Sequence, residues 1–331
     1  MTTVCAASRL HFGLLGLADA ASRTDRTGEL SLPGRAFGGV GMMVQDPGVR
    51  LSVTPAPAWS ATGPLAERAL TFAQRYATAV CVERPELTLP CQAIAVDRSP
   101  PEHAGLGTGT QLGLATARAL ARAWGLDETP EVLARRIGRG SRSAVGVHGF
   151  AHGGLLVEAG KRSSDDLSPL VARLPFPETW RVVLILRPHD SGLHGALERE
   201  AFARLTHDTS TSSQPQALCR LALQGLLPAL VECDLAAFGE ALRDFNARSG
   251  EMFAAVQGGV YASVAVADVV DFVRSLGVRG TGQSSWGPTV FAVVEDDDRA
   301  ADLALRVRQH FKLEPTATIV TRACNHGSVV S

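Results

Sequence analysis

The sequence predicts an α+β fold, in whose second half helices cover one face of a largely antiparallel sheet. Three observations predict it. Apolar and polar residues alternate with a period of two in short stretches near both ends of the chain. Long stretches with helical spacing fall between them, most densely in the second half. The late strands have few strand neighbours close in sequence, so their partners lie far along the chain.

Residues 3–17 and 38–54 read as strands, through Val4, Ala6, Ser8, Leu10 and Phe12 and then Val40 to Val44 and Val49 to Val53. Between them, 18–37 is rich in Ser, Arg, Gly and Asp and reads as a loop. Residues 64–83 place Leu65, Ala69, Phe72, Ala73 and Tyr76 on one helical face. Residues 87–96 return to a strand, a glycine cluster follows, and 107–124 is a helix rich in Ala and Leu. Residues 129–137 suit a short helix, 139–149 is a second glycine-punctuated region, and 155–158 is a strand. The polar stretch 159–179, with Pro169, Pro175 and Pro177, reads as a connection, which divides the chain into 1–165 and 166–331. The second part reads as strands at 180–186, 278–281, 288–295 and 316–322. Its helices fall at 194–206, 213–233, 235–248, 260–276 and 299–312. Residues 208–215 look like a mobile link.

The chain has 331 residues, 45% of them hydrophobic and 20% charged, enough for one large domain or two. A formal net charge of -1 argues against a nucleic-acid partner. No apolar run is long enough for a membrane span, and the first residues do not read as a signal peptide, so a cytoplasmic protein is expected. Six dispersed cysteines without a C-x-x-C pair suit reduced, buried thiols. Lys161 and Lys312 are the only lysines among 32 basic residues. Arginine favours bidentate capture of phosphate or carboxylate, which directs attention to each glycine-flanked Arg.

The most informative run is Gly105-Leu-Gly-Thr-Gly-Thr-Gln111, between a strand and a helix. Its glycines allow close approach of a ligand to the backbone, and the first turn of the helix supplies unpaired amides and partial positive charge. Together these features make a phosphate site formed by Gly105, Leu106, Gly107, Thr108, Gly109, Thr110 and Gln111. No Gly-Lys-Ser/Thr follows, so it is not a P-loop. A glycine-rich helix start without a ligand is the competing reading.

Behind Pro101, this run resembles the phosphate loop of the GHMP kinase superfamily, which usually reads Gly-Leu-Gly-Ser-Ser-Ala. The second Ser, which commonly helps to hold Mg²⁺, falls on Gly109 here. Ser8-Arg9-Leu10 and Gly280-Thr-Gly-Gln-Ser-Ser-Trp-Gly-Pro-Thr-Val290 sit where the N-terminal and C-terminal motifs of that superfamily would fall. The resemblance implies an N-terminal domain like ribosomal protein S5 and a ferredoxin-like C-terminal domain. The catalytic Asp of many such kinases would fall near Gly146, and no carboxylate occurs from Arg142 to Leu156.

Four segments carry a narrower resemblance: Arg9-Leu-His-Phe-Gly-Leu14, Phe37-Gly-Gly-Val-Gly41, Gly140-Ser-Arg-Ser-Ala-Val-Gly-Val-His-Gly-Phe150 and Gly282-Gln-Ser-Ser-Trp-Gly-Pro288. Together they are similar to the β-ribofuranosylaminobenzene 5′-phosphate synthase family. That resemblance implies condensation of phosphoribosyl pyrophosphate with p-aminobenzoate, or with 4-hydroxybenzoate, releasing CO₂ and pyrophosphate in tetrahydromethanopterin synthesis. It also implies Mg²⁺ and a homodimer. Such a reaction needs anion clamps and a positioned ring more than a strong base.

Under this resemblance Arg9 and Arg142 are candidate clamps for the 5′-phosphate or the carboxylate, against a surface or structural ion pair, and His11, His148 and His152 are candidate catalytic groups. For each histidine a hydrogen-bonded core role competes. Gly38, Gly39, Ser143, Gly282, Gln283, Ser284, Ser285 and Trp286 are candidate substrate contacts; Trp286 reads either as stacking on the ring or as packing beneath the glycine turn. His194 is a further cleft candidate, and Thr108 and Glu200 are metal candidates. Trp59, Trp124 and Trp180 read as core. The rival functions are an ATP-dependent small-molecule kinase and a non-catalytic phosphometabolite-binding protein.

Overall fold

The computed structural model describes residues 1–17, 35–163, 165–186 and 214–331. The expected helix at 194–206, most of the 18–37 loop and of the 208–215 link, His194 and Glu200 lie outside the described residues.

The first part runs β1 (Thr2–Leu14), β2 (Gly39–Pro55), β3 (Ser60–Thr62), α1 (Ala66–Glu83), β4 (Gln92–Arg98), α2 (Thr108–Ala123), α3 (Pro130–Arg136), α4 (Val145–His152), β5 (Leu155–Glu158) and β6 (Leu170–Leu174). Next come β7 (Arg181–Ile185), α5 (Gln214–Leu221), a π-helical turn (Ala222–Leu226), α6 (Leu227–Val231), α7 (Leu235–Glu251), α8 (Ala254–Gln257) and α9 (Val264–Ser275). The chain continues with β8 (Gly280–Gln283), β9 (Val290–Val294), α10 (Asp297–Phe311), β10 (Thr318–Thr321) and β11 (Val329–Val330).

The architecture is α+β, with two sheets among the described residues, as the two-domain expectation implies. The larger follows the order β11-β1-β2-β4-β3, and β5 joins β2 to β6. The smaller is β10-β7-β9-β8 and is antiparallel throughout. The expected boundary at 165 falls between β5 and β6, which pair with each other, and β11 returns to β1. The larger sheet therefore takes strands from both sides of that boundary.

Strand alternation distributes the core. On β7, Val182 and Leu184 face a central cluster with Leu10, Phe12, Met42, Phe238 and Phe245. Val183 and Ile185 face the opposite cluster, against α9 and α10. The outer face of the larger sheet is covered by α1 to α4 through Phe72, Tyr76, Leu112 and Phe150.

Three differences from the sequence reading have physical causes. The strand expected at 87–96 begins at Gln92, because Pro85 and Pro90 keep the preceding segment out of the ladder. Residues 145–152 form helix α4 despite Gly146 and Gly149, and a Cβ on Gly149 would collide with the Met43 side chain. Both glycines thus trade helix propensity for close packing on β2 and α2. Residues 170–174 form a strand because β5 offers them an edge.

Candidate active site

Strand β1 positions the first groups. Its odd-numbered residues Arg9, His11 and Gly13 line a cavity of about 300 Å³, while Leu10 is fully buried in the core. A register shift between His11 and Gly13 marks a bulge, which re-aims the strand end at the cavity.

The glycine run forms the wall beside it. Gly107 caps α2 with φ 70°, and no side chain caps the helix and no acidic residue occupies its first turn. By contrast, α10 starts with the Asp296 side chain accepting from the Arg299 amide, and with Asp297 and Asp298 in its first turn. The α2 N-terminus keeps its partial positive charge uncompensated. Arg9 packs against Gly107, where a Cβ would come within 3.0 Å of the Arg9 Cβ, and the Arg9 amide donates to the Leu106 carbonyl at 2.9 Å. A Cβ at Gly109 would collide with Arg68 and approach Arg139 to 3.0 Å, so two more guanidiniums sit over the first turn. Arg142 completes a set of four arginines on the cavity wall. Burial pulls the Arg68 pKa down from its ordinary value, and Arg68 pairs with Glu102. No carboxylate lines the cavity among the described residues.

The 282–287 loop fixes the two walls together. The Ser284 hydroxyl donates to the Gly105 carbonyl at 2.7 Å and accepts from the His11 amide at 3.0 Å. The Asn246 side-chain amide on α7 donates to the carbonyls of Phe12 at 2.6 Å and Gln283 at 2.8 Å. A Cβ at Gly282 would strike Asn246, so the glycine makes room for this bridge. Trp286 meets Phe253 edge-on at 4.6 Å, and both line the cavity.

Behind the wall, the ring nitrogen Nε2 of His11 lies 2.9 Å from the Ser143 hydroxyl. Ser143 donates to Oε1 of Glu158 at 2.6 Å, and the Ala144 amide donates to Oε2 at 2.7 Å. Glu158 is 0% exposed, and burial pushes its pKa up to about 7, against the lowering effect of its hydrogen bonds from Ser143, Ala144 and Ser168. Burial and then the Arg9 charge hold the His11 pKa well below its ordinary value, so the ring is neutral at pH 7.

The structure gathers Gly105 to Thr110, Arg9, His11, Arg142, Ser143, Gln283, Ser285 and Trp286 on one cavity. Other expected site residues do not reach it. Gln111 is buried and donates to the Gly146 carbonyl at 2.8 Å, tying α2 to α4. His148 is a core histidine, with Nε2 2.7 Å from the Ser168 carbonyl. His152 is exposed at the far end of α4. Gly39 backs onto His11, and Gly38 packs on Ala159. Gly282 and Ser284 act as scaffold. The competing core reading holds for His148 because α4, unrecognised in the sequence, turns that side chain inward.

Sequence reasoning missed Arg68, Arg139, Phe253 and Glu158. Arg139 had a signal, since Gly138 and Gly140 flank it. The other three are distant in sequence and carry no motif of their own.

The cavity lining offers no carboxylate, among the described residues, to hold a resident Mg²⁺. Among the described residues, no group of three or more His, Cys, Asp or Glu is arranged to hold a metal ion. The Thr108 hydroxyl donates to the Pro101 carbonyl at 2.8 Å. All six cysteines are free thiols, but only Cys324 is buried, and Cys81, Cys219 and Cys233 lie on exposed helix or turn positions, contrary to the expectation of buried thiols. No helix of the described residues is long and apolar enough to cross a membrane.

The model of the GHMP kinases N terminal domain matches residues 66–155, and that of the GHMP kinases C terminal domain matches residues 226–313. Over 97% of this chain and 96% of the relative, the sequence is 30% identical to a β-ribofuranosylphenol 5′-phosphate synthase of Archaeoglobus fulgidus. The chain belongs to the β-ribofuranosylphenol 5′-phosphate synthase family, on a GHMP kinase fold. A second synthase of that name, from Methanothermobacter thermautotrophicus, is 32% identical over 69% of this chain and 70% of its own. Members of the family are transferases, and this chain is an enzyme of that class. The fold is also that of homoserine kinase from Cytophaga hutchinsonii, with TM-score 0.64, 16% identity, and 100% and 97% of the two chains covered. Mevalonate diphosphate decarboxylase from Staphylococcus aureus has TM-score 0.64 at 17% identity, with 100% and 98% covered.

Proposed function

We propose that the enzyme joins the sugar of phosphoribosyl pyrophosphate to the carboxyl-bearing ring carbon of a para-substituted benzoate, releasing pyrophosphate and CO₂. The observation that carries this reading is the four-arginine wall around the α2 N-terminus, facing a cavity with no carboxylate among its described lining. Such a wall stabilises a diphosphate that leaves with its electron pair. The relatives are β-ribofuranosylphenol 5′-phosphate synthases, and a phenol product favours 4-hydroxybenzoate as acceptor over p-aminobenzoate.

The residues divide the work. Main-chain amides from Gly107 to Gly109, with Arg68 and Arg139, hold the departing diphosphate. Arg9 and Arg142 hold the 5′-phosphate and the acceptor carboxylate. Phe253 and Trp286 present ring surface to the acceptor. Positive character grows at the sugar C1 as the C–O bond breaks. The ring carbon attacks there, and loss of CO₂ restores the aromatic ring. Any Mg²⁺ would be held by phosphate oxygens of the donor, where it would offset the charge of the departing pyrophosphate. A place in tetrahydromethanopterin synthesis, a cytoplasmic location and a homodimeric state belong to the same reading. Sedimentation measures the last.

The test is incubation with phosphoribosyl pyrophosphate and carboxyl-labelled 4-hydroxybenzoate or p-aminobenzoate, without ATP. Labelled CO₂ is the expected result, faster from the hydroxy acid. Phosphorylation of an alcohol that depends on ATP, with no labelled CO₂, replaces the reading with a kinase.

A further inference from the structure

Glu158 is a buried carboxylate for which the proposed reaction has so far no use. It is joined to the cavity through two hydrogen bonds, Glu158 to Ser143 at 2.6 Å and Ser143 to His11 at 2.9 Å. We propose that His11, Ser143 and Glu158 form a proton relay in which Glu158 stores the proton that the acceptor's para substituent gives up during C–C bond formation and returns it when CO₂ leaves. The inference rests on the reading given under Proposed function.

The geometry supports two states with the same heavy-atom positions. In the first, Glu158 is ionised, the Ser143 hydroxyl donates to it, and His11 donates from Nε2 to Ser143. That leaves Nδ1 of a neutral imidazole as the proton acceptor. In the second, Glu158 is protonated and donates to Ser143, Ser143 donates to Nε2, and Nδ1 carries the hydrogen. Moving from one to the other shifts three protons, each along an existing hydrogen bond or onto the ligand, with no movement of a heavy atom. The net result is a proton transferred from the ligand to Glu158.

The reaction requires that transfer. When the ring carbon of 4-hydroxybenzoate bonds to the sugar C1, the C1–O bond breaks and its electron pair leaves with pyrophosphate. The hydroxyl proton passes to His11 Nδ1, and the ring becomes a dienone that still carries its carboxylate. The bond to that carboxylate then breaks, CO₂ departs, and the electron pair restores the aromatic ring. The phenolate oxygen regains the proton from Nδ1, and the relay resets. Nothing is oxidised or reduced.

Two features suit Glu158 to this role. Its affinity for a proton, pushed up by burial to about 7, is matched to neutral conditions. The His11 ring is held neutral by burial and by Arg9, so it passes the proton on instead of keeping it. The charged or titratable groups on the packed elements are Arg9 on β1, Arg142 beside Ser143, His148 on α4 and Lys161 beyond β5. His148 is bonded to the Ser168 carbonyl and Lys161 to the Ser141 carbonyl. His11 lines the cavity and is the group that would meet the ligand, whereas Ser143 and Glu158 are positioning residues that act through it.

The test compares wild type with Glu158→Gln and Ser143→Ala on two acceptors. One is 4-hydroxybenzoate. The other is its analogue with fluorine on both carbons beside the hydroxyl, which is already ionised in mildly alkaline buffer. With 4-hydroxybenzoate, each variant is expected to lose about 10²-fold or more in kcat. Each should still bind inorganic pyrophosphate within about twofold of wild type, because the cradle is untouched. With the ionised analogue, both variants should recover to within about tenfold of wild type. The acid limb of the wild-type pH profile, near pH 7, should disappear in Glu158→Gln. Wild-type rates in the variants overturn the relay, and so does a loss that the ionised analogue fails to rescue. Should Glu158→Gln not fold, Ser143→Ala decides alone. Failure of the wild type to release CO₂ from either acid overturns the underlying reading and the relay with it.

Discussion

The two ends of the cavity are built on opposite principles. At the α2 end, guanidiniums and backbone amides surround a glycine loop that leaves no room for side chains. At the other end, Trp286 and Phe253 meet edge-on beside Leu14 and Leu17. The first end suits a multiply charged group that departs, and the second a flat ring that stays. If the reading under Proposed function holds, a fold shared with kinases serves another transfer by pairing a glycine loop at one end of the cavity with aromatic side chains at the other.

Breaking the charged end should cost most. Arg139→Ala is expected to lower kcat/KM by about 10²- to 10³-fold, because it removes a charge that counters the leaving diphosphate. Steady-state kinetics with both substrates checks this, and a fall below tenfold would place Arg139 outside the cradle.

One layer deeper, Glu158 sets a pH signature. Burial raises its pKa from the ordinary carboxylate range, near 4.5, to about 7 in the folded chain. Its contribution to stability is therefore complete below about pH 4.5 and is lost as pH rises through about 7. Between pH 5 and 8.5, wild type should lose on the order of 3 kcal/mol relative to Glu158→Gln. His11 has the opposite sign, losing stability as pH falls, but it is present in both proteins and cancels. Urea melts across that range measure the difference in slope.

Breaking the aromatic end should be milder and selective. Phe253→Ala is expected to raise the acceptor KM by about tenfold with little change in the donor KM, through loss of ring contact. Equal changes in both constants would mean that the two ends are not separate sites. The smallest effect is expected at His152, exposed and away from the cavity. His152→Ala should leave turnover unchanged and shift stability by no more than about 0.5 kcal/mol.

Much of this contrast was legible in the sequence. The run from Gly105 to Thr110 identified the charged end because positive φ and an uncapped helix start are local properties. Arg9, His11, Arg142 and Trp286 were legible from the family segments they sit in. Glu158 was not, because it reads as the last residue of a short strand. Its role depends on a serine 15 positions earlier and a histidine on β1. The same blindness to long-range packing put His148 and Gln111 in the site. A residue in a matched segment can face either the cavity or the core, and only helix α4 decides which.

Phosphorus NMR of the purified enzyme with phosphoribosyl pyrophosphate and 4-hydroxybenzoate, without ATP, tests directly whether the loop at Gly107 holds a diphosphate that leaves intact from a sugar. An inorganic pyrophosphate signal is expected to grow, matched one-to-one by a new sugar monophosphate, and only when the acceptor is present. An unchanged spectrum, with phosphate transfer appearing once ATP is added, would contradict it.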